Sequence, residues 1–371
     1  MAIPEEEGRA MNRIELVEPT FEGESGHCRD FLASLCRASI GSGFALRVFA
    51  GKGARLPEIE GADCEVVRHF SRRLRRLQAY FLYRRLLRGP GRILVATAGR
   101  TDMILLDLAS RGKIPPSKAF LYFHWVRPSP GKLEFFRKIA GRHPDLVLMG
   151  PTPGVTDVFR ECGFRDVRTV PYPVTSAVPP SGEGEAGFRH ILYAGAARPD
   201  KGFGRVVDLV RWMDGRGETV PVTVQASADH YAKFDPATRA EIARLREGSI
   251  PWLRILPETL AAAEYRRLFE GAVCLQPYDR NDFADRISGI TLDAFRAGAP
   301  VVATAGTWMA RMAARFDAGI AVEDLSPPSL FAAVESLRAE YASRRGNALE
   351  GGRILQEEHS ARHLFSALAT G

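Results

Sequence analysis

The loop at residues 195–202, GAARPDKG, holds two cations between glycines. The sequence predicts a strand just before it, at His190–Tyr193, and a helix just after it, at Phe203–Met213. Arg198 and Lys201 therefore stand at a strand-to-helix turn, where fixed cations suit a diphosphate whose charge is spread over several oxygens. The alternative is a solvated basic loop, which is a common situation for exposed Lys and Arg.

A second stretch, residues 283–304 (FADRISGITLDAFRAGAPVVAT), combines a small-residue turn with a predicted helix. The turn is Ser288-Gly289, and the helix covers residues 290–297. Free N–H groups and the positive dipole end at such a helix start favour an anion, usually a phosphate. Asp293, one turn into the helix, could then bind hydroxyls attached to that phosphate. The alternative is a β-α-β corner in which the glycine only permits the turn.

Taken together, the two stretches resemble the retaining GT-B glycosyltransferases of family 4, and the resemblance covers most of the chain. It implies an α/β fold with two Rossmann-like, doubly wound domains that face each other across a cleft. It also implies that Lys201 and an Arg clamp the diphosphate of a sugar-nucleotide donor. In that family the Arg directly follows the glycine, here Gly195, but this chain has Ala196 there. Arg198 is the predicted substitute.

The resemblance assigns further donor contacts to the second stretch. Asp293 corresponds to the family's ribose-binding acid, and Asp285 falls where the other acid of that pair would stand. Both are Asp where the family has Glu, which implies that the donor contacts are rearranged. The R-x-S-G turn implies phosphate contacts from Arg286, Ser288, Gly289 and Ile290.

In the N-terminal half, His124 closes a predicted strand at residues 119–125, AFLYFHW. The resemblance implies that this histidine contacts the donor sugar. The alternative is a histidine at the edge of the core, beside Trp125.

The first βα loop holds the other candidates of this half. In inverting GT-B relatives a His at the position of His27 can be the general base, and Asp30 could orient it. Retention would instead make His27 a residue that positions the acceptor or the donor. The predicted acceptor contacts are Glu18, Glu24 and Gly26, although exposed Glu is usually only solvated.

The length of 371 residues exceeds one ordinary core, so two domains are expected. Predicted strands and helices alternate on both sides of a stretch rich in Pro, Gly and Ser, which indicates two parallel sheets. We predict an N-terminal domain over residues 1–177, a linker over 178–187 and a C-terminal, sugar-nucleotide-binding domain over 188–354. A last helix over residues 355–371 could cross back to the first domain.

The composition limits the partners. Apolar residues make up 45% of the chain and charged residues 26%, as in soluble globular proteins. The net charge of +7 favours an anionic partner. The acidic start lacks the apolar region of a signal peptide, and the five cysteines form no CxxC pair. We therefore expect a cytoplasmic protein with reduced thiols, no metal site and no cofactor beyond the donor substrate.

The segment Ser71–Arg88, SRRLRRLQAYFLYRRLLR, is basic and amphipathic. Leu74, Leu77, Phe81 and Leu82 can share one helix face, with arginines around it. Such a helix can lie on an anionic membrane surface, which would make the protein peripheral at the inner face of the cytoplasmic membrane. The alternative is a domain helix with an arginine-rich solvated face.

The predicted function is transfer of a sugar from a nucleotide-diphosphate sugar to a saccharide or lipid-linked acceptor, with retention, without a metal, in cell-envelope glycan synthesis. One rival is a dinucleotide-dependent oxidoreductase, but no GxGxxG stands in a strand-to-helix turn. A nucleic-acid-binding protein is a second rival, and the chain shows no motif for one, so no nucleic-acid partner is expected. A GT-B protein that binds nucleotide sugar without activity is the third, because the Arg is shifted and both acids are shortened.

Overall fold

The computed structural model describes residues 13–23, 27–173, 187–227, 235–258 and 260–370. The chain divides into two compact units, residues 1–177 with 358–371, and residues 178–357.

The first unit is built on a parallel sheet of seven strands in the order β3-β2-β1-β4-β5-β6-β7. Its strands are β1 Arg13–Glu18, β2 Ala45–Gly51, β3 Cys64–Phe70, β4 Arg92–Val95, β5 Ala119–Tyr122, β6 Val147–Gly150 and β7 Val167–Thr169. Strands β4, β5 and β6 are almost continuously apolar and buried, as expected for a parallel sheet covered on both faces. Strand β5 ends two residues before His124, so the prediction that this histidine lies in the strand is wrong.

Five helices alternate with these strands: α1 His27–Ser39, α2 Arg75–Leu86, α3 Arg100–Ser110, α4 Pro130–Arg142 and α5 Pro153–Glu161. The sequence analysis does not predict α4, because its buried stripe is narrow and consists of Phe136, Ile139 and Ala140. Pro130 at its first turn is compatible with a helix start, since the missing N–H would have no helical partner there.

The second unit repeats the same plan with six parallel strands in the order β10-β9-β8-β11-β12-β13. These strands are β8 His190–Tyr193, β9 Val222–Gln225, β10 Leu253–Leu256, β11 Ala272–Gln276, β12 Val301–Thr304 and β13 Gly319–Val322. The strand order reverses beside the first strand of each sheet, between β1 and β4 and between β8 and β11. Open α/β sheets bind ligands at the carboxyl ends of the strands at such a point.

The helices of this unit are α6 Phe203–Gly215, α7 Pro236–Leu245, α8 Ala262–Arg267, α9 Arg280–Phe283, α10 Gly289–Arg296, α11 Trp308–Arg315, α12 Pro327–Ala339 and α13 Tyr341–Glu358. Helices α12 and α13 are separated at Glu340, which leaves helical geometry at φ −109° and ψ 21°. Helix α9 and strand β13 have four residues each.

The last helix, α14 Ala361–Ala369, belongs to the first unit. Its Leu364 and Leu368 lie in the same apolar layer as Phe31 and Leu35 of α1. Arg92 donates to the carbonyl oxygen of Leu368 and so ties the helix to β4. None of the helices in the described part of the chain is long and apolar enough to cross a membrane.

Candidate functional site

The strand reversal in the second unit brings three predicted residues together. Gly195 follows β8 with φ +98°, and its N–H donates to Gln225 Oε1 at 2.8 Å. A Cβ at Gly195 would lie 3.2 Å from Lys201 Nζ and 3.3 Å from Ile290 Cδ1. Glycine therefore supplies both the left-handed backbone and the space that lets the Lys201 ammonium lie beside the start of α10.

Lys201 ends a short 3-10 turn, and Gly202 after it has φ +67°. A Cβ at Gly202 would lie 2.0 Å from the carbonyl oxygen of Pro277, so the loop packs backbone against backbone on the chain after β11. Asp279 N also donates to the carbonyl oxygen of Asp200 at 2.9 Å. The position of Lys201 is thus fixed from both sides of the strand reversal.

Two more cations surround this lysine and share one carboxylate. Arg198 Nε donates to Asp200 Oδ1 at 2.8 Å, and Arg286 Nη1 lies 3.7 Å from Asp200 Oδ2. The Arg286 guanidinium also stacks 4.8 Å from the ring centroid of Phe283. Asp200 was not among the predicted site residues, although its place between Arg198 and Lys201 in the sequence could have suggested it.

The cluster carries excess positive charge. Lys201, Arg198 and Arg286 are three cations around the single carboxylate of Asp200, and none of the ion pairs of the described residues includes Lys201. Desolvation and, after it, the charges of Arg198 and Arg286 together lower the pKa of Lys201 to about 8, while Asp200 opposes them. Desolvation and Arg198 likewise lower the pKa of Arg286. A bound polyanion would relieve this repulsion.

The start of α10 is anchored and open on one side. Ser288 is its N-cap and accepts from Thr291 N at 3.4 Å. Thr291 Oγ1 donates to Gln276 Oε1 at 2.7 Å, which ties the first turn to the end of β11. Gly289 is exposed, and a Cβ there would meet no atom within 4 Å. The N–H groups of this turn therefore border open space, as an anion site at a helix start requires.

The two predicted acids of this region have different surroundings. Asp293 is half-buried, and its Oδ2 accepts from the Tyr265 hydroxyl at 3.0 Å. Burial and the Asp293 charge raise the pKa of Tyr265 well above its usual value, so this hydroxyl remains a donor. Asp285 forms an ion pair with Arg311 at 2.9 Å in which both side chains are about half exposed. No pattern in the sequence indicates Tyr265, which lies 28 residues from its partner.

In the first unit, Glu18 ends β1 and is buried, with 1% of its surface exposed. Thr20 N donates to its Oε1 at 3.1 Å, and the hydroxyls of Thr20 and Thr97 also bond to it. Burial raises the pKa of Glu18. Glu18 therefore holds the chain after β1 to the chain after β4 from inside the unit. Glu18 is therefore not the exposed, solvated acid of the alternative, and its contact with an acceptor stays a prediction.

His124 is half-buried in an aromatic cluster at the strand ends. Its ring stacks on Phe31 at 5.9 Å between centroids and meets Tyr172 edge-on at 4.9 Å. Its Nε2 lies 2.9 Å from the carbonyl oxygen of Ala96 and 3.4 Å from Thr97 Oγ1. The cluster fixes the orientation of the imidazole. Glu24 and Gly26 lie outside the described residues, as does the side chain of His27, the first residue of α1.

A separate surface of the first unit, which we call the basic apolar face, consists of exposed Leu74, Leu77 and Phe81 at α2. These side chains are 55–58% exposed. The side of α2 that packs inward consists of Ala79, Leu82, Tyr83 and Leu86. The predicted grouping of Leu82 with the exposed residues is therefore wrong.

Neither a protein-family model nor a curated protein sequence matches the chain. Solved structures show that it has the GT-B fold of glycosyltransferases, which confirms the predicted α/β fold class. A sucrose-phosphate synthase from Thermosynechococcus elongatus matches with a TM-score of 0.65 at 15% identity, over 96% of each chain. HepE of Anabaena, solved with UDP and glucose, matches with a TM-score of 0.64 at 14% identity. The match covers 96% of this chain and 98% of HepE. WaaG, a glycosyltransferase involved in lipopolysaccharide biosynthesis, matches with a TM-score of 0.63 at 14% identity. The match covers 96% of this chain and 100% of WaaG.

Proposed function

We propose that the chain is a glycosyltransferase that takes its sugar from a nucleotide-diphosphate sugar. The observation that carries this proposal is the position of Lys201. Its ammonium lies between two guanidinium groups with one shared carboxylate, at the strand reversal of a sheet in a GT-B fold. Structures with this fold include a trehalose-6-phosphate synthase bound to a UDP-sugar analogue and HepE bound to UDP-glucose.

The cluster acts on the step in which the sugar–phosphate bond breaks. The departing diphosphate gains negative charge in the transition state, so Lys201, Arg198 and Arg286 lower the barrier as well as bind the donor. The N–H groups at Gly289 and Ile290 add to this field. Asp293, which accepts from Tyr265, is assigned to the ribose hydroxyls of the donor.

The same cations supply the positive charge that a divalent ion gives in other enzymes, so turnover should not need a metal. Among the described residues, no three His, Cys, Asp or Glu side chains gather as a metal site. Retention at the anomeric carbon is proposed from the resemblance, and one structure of the same fold addresses glycosyltransfer with retention in trehalose-6-phosphate synthase. Proton NMR of the first-formed product would show an inverted anomer if this is wrong.

Donor binding can be tested by thermal shift with UDP-, GDP-, ADP- and CMP-sugars. A donor at 100 times its dissociation constant stabilises the protein by about 2.7 kcal/mol. We expect one nucleotide class to do so for the wild type and not for Lys201→Ala, with Arg239→Ala at an exposed position of α7 as the control. No shift with any donor, or an equal shift in both variants, would contradict the proposal. Binding without turnover of any donor would support the non-catalytic nucleotide-sugar-binding alternative.

The acceptor is proposed to be a saccharide or lipid-linked glycan of the cell envelope, reached at an anionic membrane surface. The basic apolar face supports this partner because exposed arginines flank it and segment 71–88 contains no acidic residue. Apolar side chains enter the interface while each nearby arginine contributes about 1 kcal/mol at an anionic bilayer. His124 is assigned a contact with a sugar, and His27 a positioning role.

Co-sedimentation with vesicles of phosphatidylglycerol and phosphatidylcholine tests this surface. Arg72→Glu/Arg75→Glu should lose binding, and high salt should weaken the binding of the wild type. Arg239→Glu/Arg246→Glu, which changes the same charge on exposed arginines of the second unit, is the matched control. Equal binding by all three proteins, or none by the wild type, would refute a membrane contact at this face.

A further inference from the structure

Two cysteines that are 28 residues apart in the chain meet between α1 and the edge of the first sheet. Cys36 lies in the last turns of α1, and Cys64 begins β3, the edge strand of the order given above. Their Sγ atoms are 2.7 Å apart, and both are free thiols. A disulfide needs the sulfurs at about 2.05 Å, so they would have to approach by only about 0.7 Å.

The two thiols differ in access and acidity. Cys36 is buried, whereas Cys64 is half-buried and reachable from solvent. The Cys36–Cys64 hydrogen bond, in which either sulfur can be the donor, lowers the pKa of Cys64 and raises that of Cys36. Cys64 is also the more exposed thiol, so a peroxide meets it first, and its thiolate is the reactive form. The Cys36 sulfur, 2.7 Å away, is placed to attack Cys64 once Cys64 has been oxidised.

We propose that Cys36 and Cys64 form a reversible disulfide when the protein meets a hydroperoxide. The Cys64 thiolate attacks the peroxide oxygen, the O–O bond breaks, and hydroxide leaves with a proton as water. The resulting sulfenic acid is attacked by the Cys36 sulfur, which forms the S–S bond and releases a second water. Two thiols and one hydrogen peroxide thus give one disulfide and two waters, and a dithiol reductant reverses the change.

The site is independent of the proposed transfer reaction and lies on a helix that contacts a predicted site residue. Phe31 of α1 stacks on His124, and Cys36 is in the same helix. The cross-link would fix the C-terminal part of α1 to the sheet edge. The other described cysteines, Cys162 and Cys274, are buried.

Peptide mapping of the wild-type protein tests the proposal directly. Trypsin cuts after Arg29 and so separates Cys28 from Cys36, which falls in peptide 30–37, while Cys64 falls in peptide 56–68. After hydrogen peroxide and alkylation under denaturing conditions, we expect these two peptides joined and the free thiol count reduced from five to three. Dithiothreitol should restore all five. Two separate alkylated peptides, or a link that uses another cysteine, would overturn the proposal.

The order of attack is tested with Cys36→Ser. In this variant Cys64 should stop at the sulfenic acid, which a 1,3-dione reagent traps on peptide 56–68. Cys64→Ser should leave Cys36 unmodified under the same treatment, because the buried thiol no longer has an oxidised partner. Trapping on Cys36 instead of Cys64 would overturn the assigned order. The wild-type peptide map decides on the disulfide itself even if neither variant folds.

Discussion

Replacement of Lys201 by methionine should make the protein more stable and less active at the same time. Methionine has a similar length and no charge, so it removes the ammonium while it retains most of the packing. A structural lysine would behave in the opposite way, because its loss would weaken the fold. The variant therefore separates a lysine kept for ligand binding from one kept for stability.

The expected gain follows from the pKa of Lys201, which folding lowers from 10.5 to about 8. At 1.36 kcal/mol for each pKa unit, the charged lysine destabilises the folded state by at most about 3 kcal/mol. Partial exposure of the side chain reduces this value. Because the lysine is protonated in both states below pH 8, the whole penalty is present there. It shrinks as pH rises from 8 to 10.5 and vanishes above that range.

The assay is urea unfolding of wild type and Lys201→Met at pH 7 and at the highest pH both proteins tolerate. We expect the variant to be more stable at pH 7 and the difference to narrow as pH rises. Donor turnover should fall by about 10²–10³-fold, as for loss of other groups that stabilise a transition-state anion. Arg239→Met, at an exposed position of α7, is the control. A Lys201→Met protein that is less stable than wild type at pH 7, or that keeps its turnover, would refute the reasoning.

Three further outcomes are expected. Donor kcat/KM should fall about tenfold between pH 7 and pH 9, because Lys201 loses its charge with a pKa of about 8. Lys201→Arg should remove this pH dependence, and a flat pH profile of the wild type would contradict the expectation. Asp293→Asn should mainly raise the donor KM, because the variant loses about 1.5–3 kcal/mol of binding free energy from a charge-assisted hydrogen bond. A loss confined to kcat would argue against ribose binding. Turnover should persist in excess EDTA, and rescue of a chelated, inactive enzyme by magnesium would show that the fixed cations are insufficient.

The sequence predicted the backbone of the candidate site where it depends on neighbouring residues. Gly195, Lys201 and Ser288 stand at strand-to-helix turns, as predicted, and their contacts with a donor stay a prediction. The regular alternation of strands and helices predicted parallel sheets, which is confirmed, but alternation alone does not determine the order of the strands. These features depend on a few neighbouring residues, so they can be predicted from the local sequence.

The features that the sequence did not predict depend on distant partners. Tyr265 reaches Asp293 over 28 residues, and Tyr83 reaches Asp102 over 19 residues at 2.8 Å. The second contact also explains why the inward side of α2 was misjudged. Leu74, Leu77 and Phe81 form a regular apolar stripe, but the hydrogen bond to Asp102 and the packing of Leu82 turn another side of the helix inward.

The return of α14 to the first unit has a consequence for how the chain folds during synthesis. Ala361, Leu364, Phe365 and Leu368 belong to the apolar layer that α1 shares with the sheet, so the first unit cannot complete its core until residues 361–369 have left the ribosome. The second unit has all of its strands available earlier. The unit that is made first therefore finishes last, and until then it exposes an unfilled apolar layer of the kind that chaperones recognise.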